Sequence, residues 1–356
     1  MQINELFQGM AKHNASDLHL KSGQPPIFRI SGELVRLKGE VLTNTQLQDM
    51  LLPLLNDKQR RDLEERGYAD FAVPVAGIGR FRCNVFKQMG SLAMCARRNK
   101  PTVPTYADLG LPPQIERLAG LEQGLVLIGG ITGSGKSTTI ASVLNDINSR
   151  RRCHILTIED PIEFVYTEDK AIINQREIGQ DVASFDEALR SAIREDPDVM
   201  LLGEMRDGET VETALSAAET GHLVFGTIHA SSAPQTIGRL LDLFPAAKHA
   251  QMRTSMAFNL KCIMNQKLLP AAQGKSMVPA VETMFISPII RKLILDGEDG
   301  KLAENFVRDV EAGSENFNKV LTRLYKEKKV TMEVALAASP NPEELRMSMR
   351  GISISS

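Results

Sequence analysis

The chain has 356 residues, of which 42% are hydrophobic and 24% charged, and its formal net charge at pH 7 is −2. That length exceeds one typical core and suits two or three domains, while the near-neutral charge supplies no global field for nucleic acid, so no nucleic-acid partner is expected. No apolar run approaches the ~18 residues a membrane helix needs, and residues 1–14 lack the charged start and apolar stretch of a secretory leader, so a cytoplasmic location is expected.

Residues 1–98 read as an α+β domain. A helix over Ile3 to Lys12 precedes short strands near Asp17 to Leu20 and Pro26 to Ile30. One helix from Thr45 to Arg66 follows, ended by Gly67, and then strands over Ala69 to Val75, Gly79 to Gln88 and Ser91 to Arg97. No acid lies between Asp70 and Asp108, whereas Arg80, Arg82, Lys87, Arg97, Arg98 and Lys100 do. On a strand Arg80 and Arg82 share a face. Such a face is either solvated or a source of cations for a phosphate group. Residues 99–113, with prolines at 101, 104, 112 and 113, read as a linker stiff enough to transmit a rotation. The four cysteines, Cys83, Cys95, Cys153 and Cys262, show no C-x-x-C spacing and suit buried apolar positions.

From 114 to 270 short apolar strands alternate with helices, the pattern of a mostly parallel sheet covered on both faces. Strands are expected at Leu125 to Ile128, His154 to Ile158, Val199 to Leu202 and Leu223 to Ile228. After Phe244 the chain reads as helical, over Lys248 to Cys262, Pro288 to Leu295 and Ser314 to Lys328, so residues 271–356 form a helical carboxyl-terminal region with a small polar tail.

Gly130, Gly135, Lys136 and Ser137 match the pattern G-x-x-x-x-G-K-[ST] between an apolar strand and a helix start. A chance match is the bland alternative, but a random chain of this length shows it only about 1% of the time. The glycines let successive N–H groups face one anion, and the helix adds its positive end. Gly130, Thr132, Gly133, Ser134, Gly135, Lys136, Ser137 and Thr138 are therefore expected to hold ATP, with Ser137 as a Mg²⁺ ligand.

Ligands of such sheets sit beyond the carboxyl ends of the strands. Glu159, Asp160 and Glu163 follow one strand there, and at least one is expected to organise catalysis or metal. Glu204 ends another, preceded by Gly203 where P-loop enzymes commonly carry an Asp. It then orients water, binds Mg²⁺ through water, or both. His229, at the carboxyl end of its strand, is read as a γ-phosphate sensor. His222, at the opposite end, is placed with the nucleotide site as a supporting or structural group.

With these residues in hand, the chain resembles the secretion ATPase superfamily of type II and type IV secretion and type IV pili. Gly130 to Ser137 looks like its Walker A loop, Ile155 to Phe164 its Asp box, Val199 to Glu204 its atypical Walker B and Gly221 to Ala230 its His box. Ala15 to Leu20 and Gly79 to Arg82 are similar to its PAS-like amino-terminal module. The absence of a four-cysteine zinc motif, and Ser339 to Leu345, point to the retraction ATPases of twitching motility. Ile290 to Gly297 keeps the helix and Arg291 of a segment usual in that group but not its wording.

The resemblance implies an α/β architecture: a PAS-like α+β domain, then a RecA-like P-loop ATPase domain with a helical extension. It further implies a homo-hexameric motor for pilus retraction, with an accessory subunit of weak hydrolysis or a secretion-assembly ATPase as alternatives. Its partners would be an inner-membrane pilus platform protein, at the cytoplasmic face of that membrane, and a paralogous retraction ATPase. Catalysis would rest on Glu204, Glu159, Glu163 and His229, and the arginines closing over the phosphates would be Arg80, Arg82 and Arg97.

Overall fold

The computed structural model describes residues 2–98, 102–274, 276–308 and 312–350; positions 99–101 of the expected linker and the expected polar tail at 351–356 lie outside the described residues. The chain divides into two compact units, one holding the residues up to Val103 with the segment Glu163–Val165, the other the chain from Pro104 onward without that segment. Among the described residues no helix is long and apolar enough to cross a membrane.

The first unit comprises α1 (Ile3–Lys12), β1 (Asp17–Lys21), β2 (Ile27–Ile30), β3 (Glu33–Arg36), α2 (Asn44–Leu51), α3 (Asp57–Glu65), β4 (Tyr68–Val75), β5 (Gly79–Gln88) and β6 (Ser91–Arg98). Its strands pair antiparallel in the order β3-β2-β1-β6-β5-β4. Alternation decides the faces: Phe81, Cys83 and Val85 are buried, and Phe7 of α1 stacks on Phe81 with ring centroids 4.2 Å apart. The expected single helix from Thr45 to Arg66 is instead α2 and α3, because Pro53 interrupts the ladder and Asn56 starts a fresh helix by accepting the Gln59 N–H at 2.9 Å.

On the opposite face, Arg29, Asp17, Arg97 and Arg82 stand in one row across β2, β1, β6 and β5. The acid-free stretch is acid-free along the chain but not across the sheet. Asp17 is only 4% exposed; its Oδ1 accepts from Arg97 Nε at 2.8 Å, its Oδ2 from Ser16 Oγ at 2.8 Å, and Arg29 Nε stands 3.8 Å away. Burial pushes the Asp17 carboxyl up, but the Arg97 and Ser16 hydrogen bonds together with the Arg97 charge hold it below its ordinary value.

The second unit begins with α4 (Tyr106–Leu109) and α5 (Glu116–Ala119), then β7 (Gly124–Gly129), α6 (Lys136–Arg150), β8 (His154–Glu159), β9 (Ile172–Glu177), α7 (Phe185–Ala192) and β10 (Val199–Leu202). It continues with α8 (Gly208–Glu219), β11 (Leu223–Ile228), α9 (Ala233–Leu241), α10 (His249–Asn259), β12 (Leu260–Pro270) and β13 (Met277–Phe285). The last elements are α11 (Pro288–Asp296), α12 (Leu302–Arg308), α13 (Phe317–Lys326), α14 (Met332–Ala338) and α15 (Pro342–Met349). Its sheet runs β13-β12-β7-β11-β10-β8-β9, all pairs parallel except β12 with β13. Buried clusters lie on both faces: one around Leu127, Met200 and Ile237, the other around Ile128, Val143 and Phe225.

The helix expected over Lys248 to Cys262 and the all-helical character expected for residues 271–356 are both corrected by the structure. α10 stops at Asn259, and Leu260–Pro270 and Met277–Phe285 are strands, nine residue pairs of which face each other in antiparallel register. Cys262, Ile263 and Met264 are fully buried because β12 lies between β7 and β13. The β7 partner is remote in sequence, so local periodicity did not reveal β12. The helix expected over Ser314 to Lys328 is shorter, since Asn316 caps it by accepting the Lys319 N–H at 2.8 Å. All four cysteines are free, Cys83 and Cys262 buried, and burial pushes the Cys83 thiol up to about 12.

Asp17→Ala should lower the unfolding free energy by about 2 kcal/mol, because it strands Arg97, although the 71% exposure of that arginine lets solvent screen part of the loss. The folded-state pKa of Asp17 is depressed, so its contribution is full above its unfolded value near 3.8 and is lost as pH falls through the lower folded one. Urea unfolding of wild type and variant at pH 7 and again near pH 3.5 checks both the size and the convergence of the two curves.

Candidate functional site

Parallel register brings the chemistry to one edge of the sheet. Gly129 at the end of β7 faces Ile228 at the end of β11, and Leu202 at the end of β10 faces both Gly226 and Ile158. The residues that follow, Gly130, His229, Gly203 with Glu204, and Glu159, therefore emerge side by side, at the edge where open α/β sheets hold ligands.

The phosphate loop is formed by backbone that side chains would forbid. Gly130, Gly133 and Gly135 have φ of 145°, 79° and 87°. A Cβ at Gly130 would sit 2.6 Å from the Gln266 carbonyl oxygen, and one at Gly135 would sit 2.7 Å from Gln266 Nε2. Lys136 opens α6, with Ser137 and Thr138 in its first turn, so their N–H groups face the anion position. Lys136 Nζ is held by its own loop, donating to the carbonyls of Gly130 at 2.8 Å and Ile131 at 3.0 Å. The buried Ser134 Oγ has no hydrogen-bond partner. Glycine cradle, lysine and helix start together fit a nucleotide's phosphates. Among the described residues no group of three or more His, Cys, Asp or Glu side chains could hold a metal alone. A Mg²⁺ ion accompanying the nucleotide would take Ser137 Oγ and phosphate oxygens, the ligand set this cation ordinarily uses.

Strand β12 supplies two residues that sequence reading missed. Gln266 Nε2 donates to the Ser134 carbonyl at 2.9 Å, and its Oε1 accepts from Thr139 Oγ1 at 2.7 Å, so one buried amide spans loop and helix α6. Asn265 abuts Gly129, where an added Cβ would meet its Oδ1, and its Nδ2 donates to Thr236 Oγ1 on α9 at 3.4 Å. The signal was present as two adjacent amides between the apolar pairs Ile263-Met264 and Leu268-Leu269.

Glu204 is the centre of the other half. Its Oε1 accepts from His229 Nε2 at 2.8 Å and its Oε2 from Arg206 Nη2 at 2.5 Å. The Arg206 hydrogen bond, with the charges of Arg206, His229 and Lys136, holds the Glu204 carboxyl below its ordinary value against the opposing effect of partial burial. The group is a charged acceptor throughout the neutral range. Gly203 before it explains the missing Asp. A Cβ there would lie 3.0 Å from the Ile158 carbonyl oxygen and 3.4 Å from Glu159 Cα, while Gly203 N donates to that same carbonyl at 2.9 Å. Thr227 Oγ1 donates to the Gly203 carbonyl, locking the segment to β11.

The other expected residues separate. Glu159 is half-buried, its Oε1 accepting from Thr157 Oγ1 at 2.7 Å and Gln175 Nε2 at 3.3 Å; the exposed Asp160 adds its charge to the field at Arg206. Glu163 is exposed and belongs with the first unit. Arg80, Arg82 and Arg97 lie on β5 and β6 of that unit, with Arg97 engaged by Asp17. His222 keeps the structural part of its reading and loses its place with the nucleotide residues. It precedes β11 at the edge opposite the phosphate loop, where its Nδ1 lies 2.9 Å from the Ala217 carbonyl and its own carbonyl accepts from Gly124 N at 3.0 Å. That is a helix-to-strand joint, a strand's length from the nucleotide residues.

A RecA-like P-loop domain with an atypical acidic strand end, preceded by a small α+β unit, defines the secretion ATPase class. The family model described as type II/IV secretion system protein matches residues 95–305. The chain is 42% identical to the type IV pilus retraction ATPase PilT of Pseudomonas aeruginosa, with 96% of this chain and 99% of that protein covered. It is 36% identical to the type IV pilus ATPase PilU of the same organism, covering 98% and 92%. A crystal structure of the pilus retraction motor PilT with bound ADP superposes with a TM-score of 0.91 at 44% identity, covering 97% of this chain and 99% of that one. The chain belongs to the type II/IV secretion system protein family, in the group of the pilus retraction ATPases.

Gln266→Leu strands the Ser134 carbonyl and the Thr139 hydroxyl. We expect the dissociation constant for a fluorescent ATP analogue to rise about tenfold, the equivalent of one buried hydrogen bond, with turnover at saturating ATP changed less than about twofold. Gly203→Asp, which restores the residue common in P-loop enzymes, should not raise turnover. It should instead cost about 1–3 kcal/mol in thermal or denaturant unfolding, because the new Cβ presses on the β8 backbone.

Proposed function

We propose that the chain is an ATP-hydrolysing motor that assembles as a homo-hexameric ring and drives type IV pilus retraction. The observation that carries the reading is the meeting of Lys136, Glu204 and His229 at one sheet edge. On nucleotide binding Lys136 exchanges its two loop carbonyls for the outer phosphates, a substitution of one acceptor set for another. Glu204, kept ionised by its neighbours, orients the attacking water and accepts its hydrogen bond. His229 donates from Nε2 to Glu204, and turning that donor toward the γ-phosphate ties the carboxylate's position to the presence of that phosphate. A Mg²⁺ ion bound with the nucleotide would be held by Ser137 and would supply charge neutralisation at the phosphates.

Glu159 braces the strand end beside Glu204, and Asp160 and Glu163 extend the acidic segment. Arg80, Arg82 and Arg97 supply cations to the phosphates from the first unit. Arg82 is the more available of the two that face each other, since Asp17 engages Arg97. The pilus role is supported by the 42% identity with a retraction ATPase along almost the whole of both chains. In this reading the ring docks on an inner-membrane platform protein at the cytoplasmic face and works beside a paralogous retraction ATPase, a relationship like that of PilT and PilU.

Phosphate release from the purified protein tests the chemistry. Lys136→Ala and Glu204→Gln should each lower turnover by about a hundredfold or more. Wild-type turnover in Glu204→Gln would remove the carboxylate from its assigned role. Deletion of the gene followed by complementation with Lys136→Ala tests the motor, and normal pilus retraction in that strain would sink it.

A further inference from the structure

Glu282, on β13 opposite Asn265, is buried at 3% exposure and is used by none of the chemistry above. Its two oxygens serve two different helices. Oε2 accepts from the Ala233 N–H, the first residue of α9, at 2.6 Å, and Oε1 accepts from the Phe317 N–H, the first residue of α13, at 3.2 Å. The residue before α9, Ser232, makes no side-chain cap of its own, so Glu282 does the capping from another strand. Both helix starts present their positive ends to the one carboxylate, which offsets the cost of burying it. Burial pushes the carboxyl up to about 7, against the two backbone bonds and the charge of Lys267.

What these helices carry gives the contact its meaning. Only Ala230, Ser231 and Ser232 separate His229 from Ala233. His229 is thus fixed at one side by β11 and, four residues on, by Glu282. Thr236 of the same helix receives the Asn265 amide, and Asn265 abuts Gly129 at the mouth of the phosphate loop. On the other side, Phe317 opens the helix that anchors the carboxyl-terminal cluster of Leu269, Ala280, Leu321, Leu324 and Leu345. A shift of α13 against β13 cannot leave the Ala233 end of the His229 segment untouched while both hydrogen bonds persist.

We propose that Glu282 is a positioning residue that ties the His229 segment to the carboxyl-terminal helices, so that the geometry at Glu204 and the packing of those helices change together. The proposal rests on the assignment of Glu204 and His229 to ATP hydrolysis. Gln at this position has one carbonyl oxygen in place of two, so it keeps one helix and releases the other.

The test is steady-state phosphate release and binding of a fluorescent ATP analogue by the full-length Glu282→Gln protein, with Lys136→Ala in parallel. A coupling role predicts turnover lowered about tenfold with the ATP dissociation constant within twofold of wild type, because the phosphate loop keeps Gln266. It also predicts faster amide hydrogen exchange in segments 230–236 and 316–322 together. Wild-type turnover overturns the proposal, as does an equal loss of nucleotide binding, which marks general damage. Should Glu282→Gln fail to fold, exchange in the wild-type protein decides: the two segments must change protection in concert when the ATP analogue binds, and independent behaviour overturns the coupling. Loss of hydrolysis in Lys136→Ala beside normal Glu282→Gln removes the coupling alone, whereas unaltered hydrolysis in Lys136→Ala removes the ATPase assignment beneath it.

Discussion

The phosphate loop keeps its shape by leaning on a strand that comes about 130 residues later. Gln266 hydrogen-bonds Ser134 and Thr139, its backbone carbonyl fills the space a side chain at Gly130 would need, and Asn265 closes against Gly129. Glycine-rich backbone has the highest conformational entropy to lose, so a loop of this composition is not ordered by its own sequence. Packing against β12 supplies the missing constraint. β12 is in turn held by its parallel pairing with β7 and its antiparallel pairing with β13, so the loop inherits its rigidity from the middle of a buried sheet.

The edge that gathers Lys136, Glu204 and His229 follows from the same sheet. Parallel strands in register deliver Glu204, His229 and Lys136 to one place without any of them being close in sequence. Once there, they set each other's chemistry: Arg206, His229 and Lys136 keep Glu204 ionised, and Glu204 in return orients the imidazole. Gly203 is the accommodation that lets β10 approach the end of β8 so closely. The atypical acidic motif is therefore a packing consequence as well as a chemical one, since a side chain at Gly203 would press on the β8 backbone, with its Cβ 3.0 Å from the Ile158 carbonyl oxygen.

Asp17 has a comparable place in the first unit. The arginines of β5 and β6 would repel one another if the sheet face carried only them, since Arg82 stands directly opposite Arg97. A buried carboxylate from β1 absorbs the charge of Arg97 and leaves Arg82 as the less committed neighbour. Electrostatic availability on this face is decided across strands, which a list of charges along the chain cannot express.

The sequence by itself determined the local, periodic and motif-borne features. The strands of the parallel sheet that precede the phosphate and acidic residues, the Walker A residues Gly130 to Ser137, Glu204 and His229 at strand ends, and the three strands β4, β5 and β6 were all legible, because apolar alternation and glycine spacing are written within a few residues. Tertiary structure alone decided what depends on distant pairing. Leu260 to Cys262 read locally as the end of a helix and belong to a strand only because β7 and β13 flank them. The sequence already assigns His222 and His229 to opposite ends of one strand, but the groups that fix His222, the Ala217 carbonyl and the Gly124 N–H, are supplied by the fold. Asn265, Gln266 and Glu282 look like stray polar residues in apolar runs, and their meaning lies in the groups they satisfy. A buried amide or carboxylate is placed by its hydrogen-bond partners, and those partners are brought within 3 Å by the fold and not by the order of the chain.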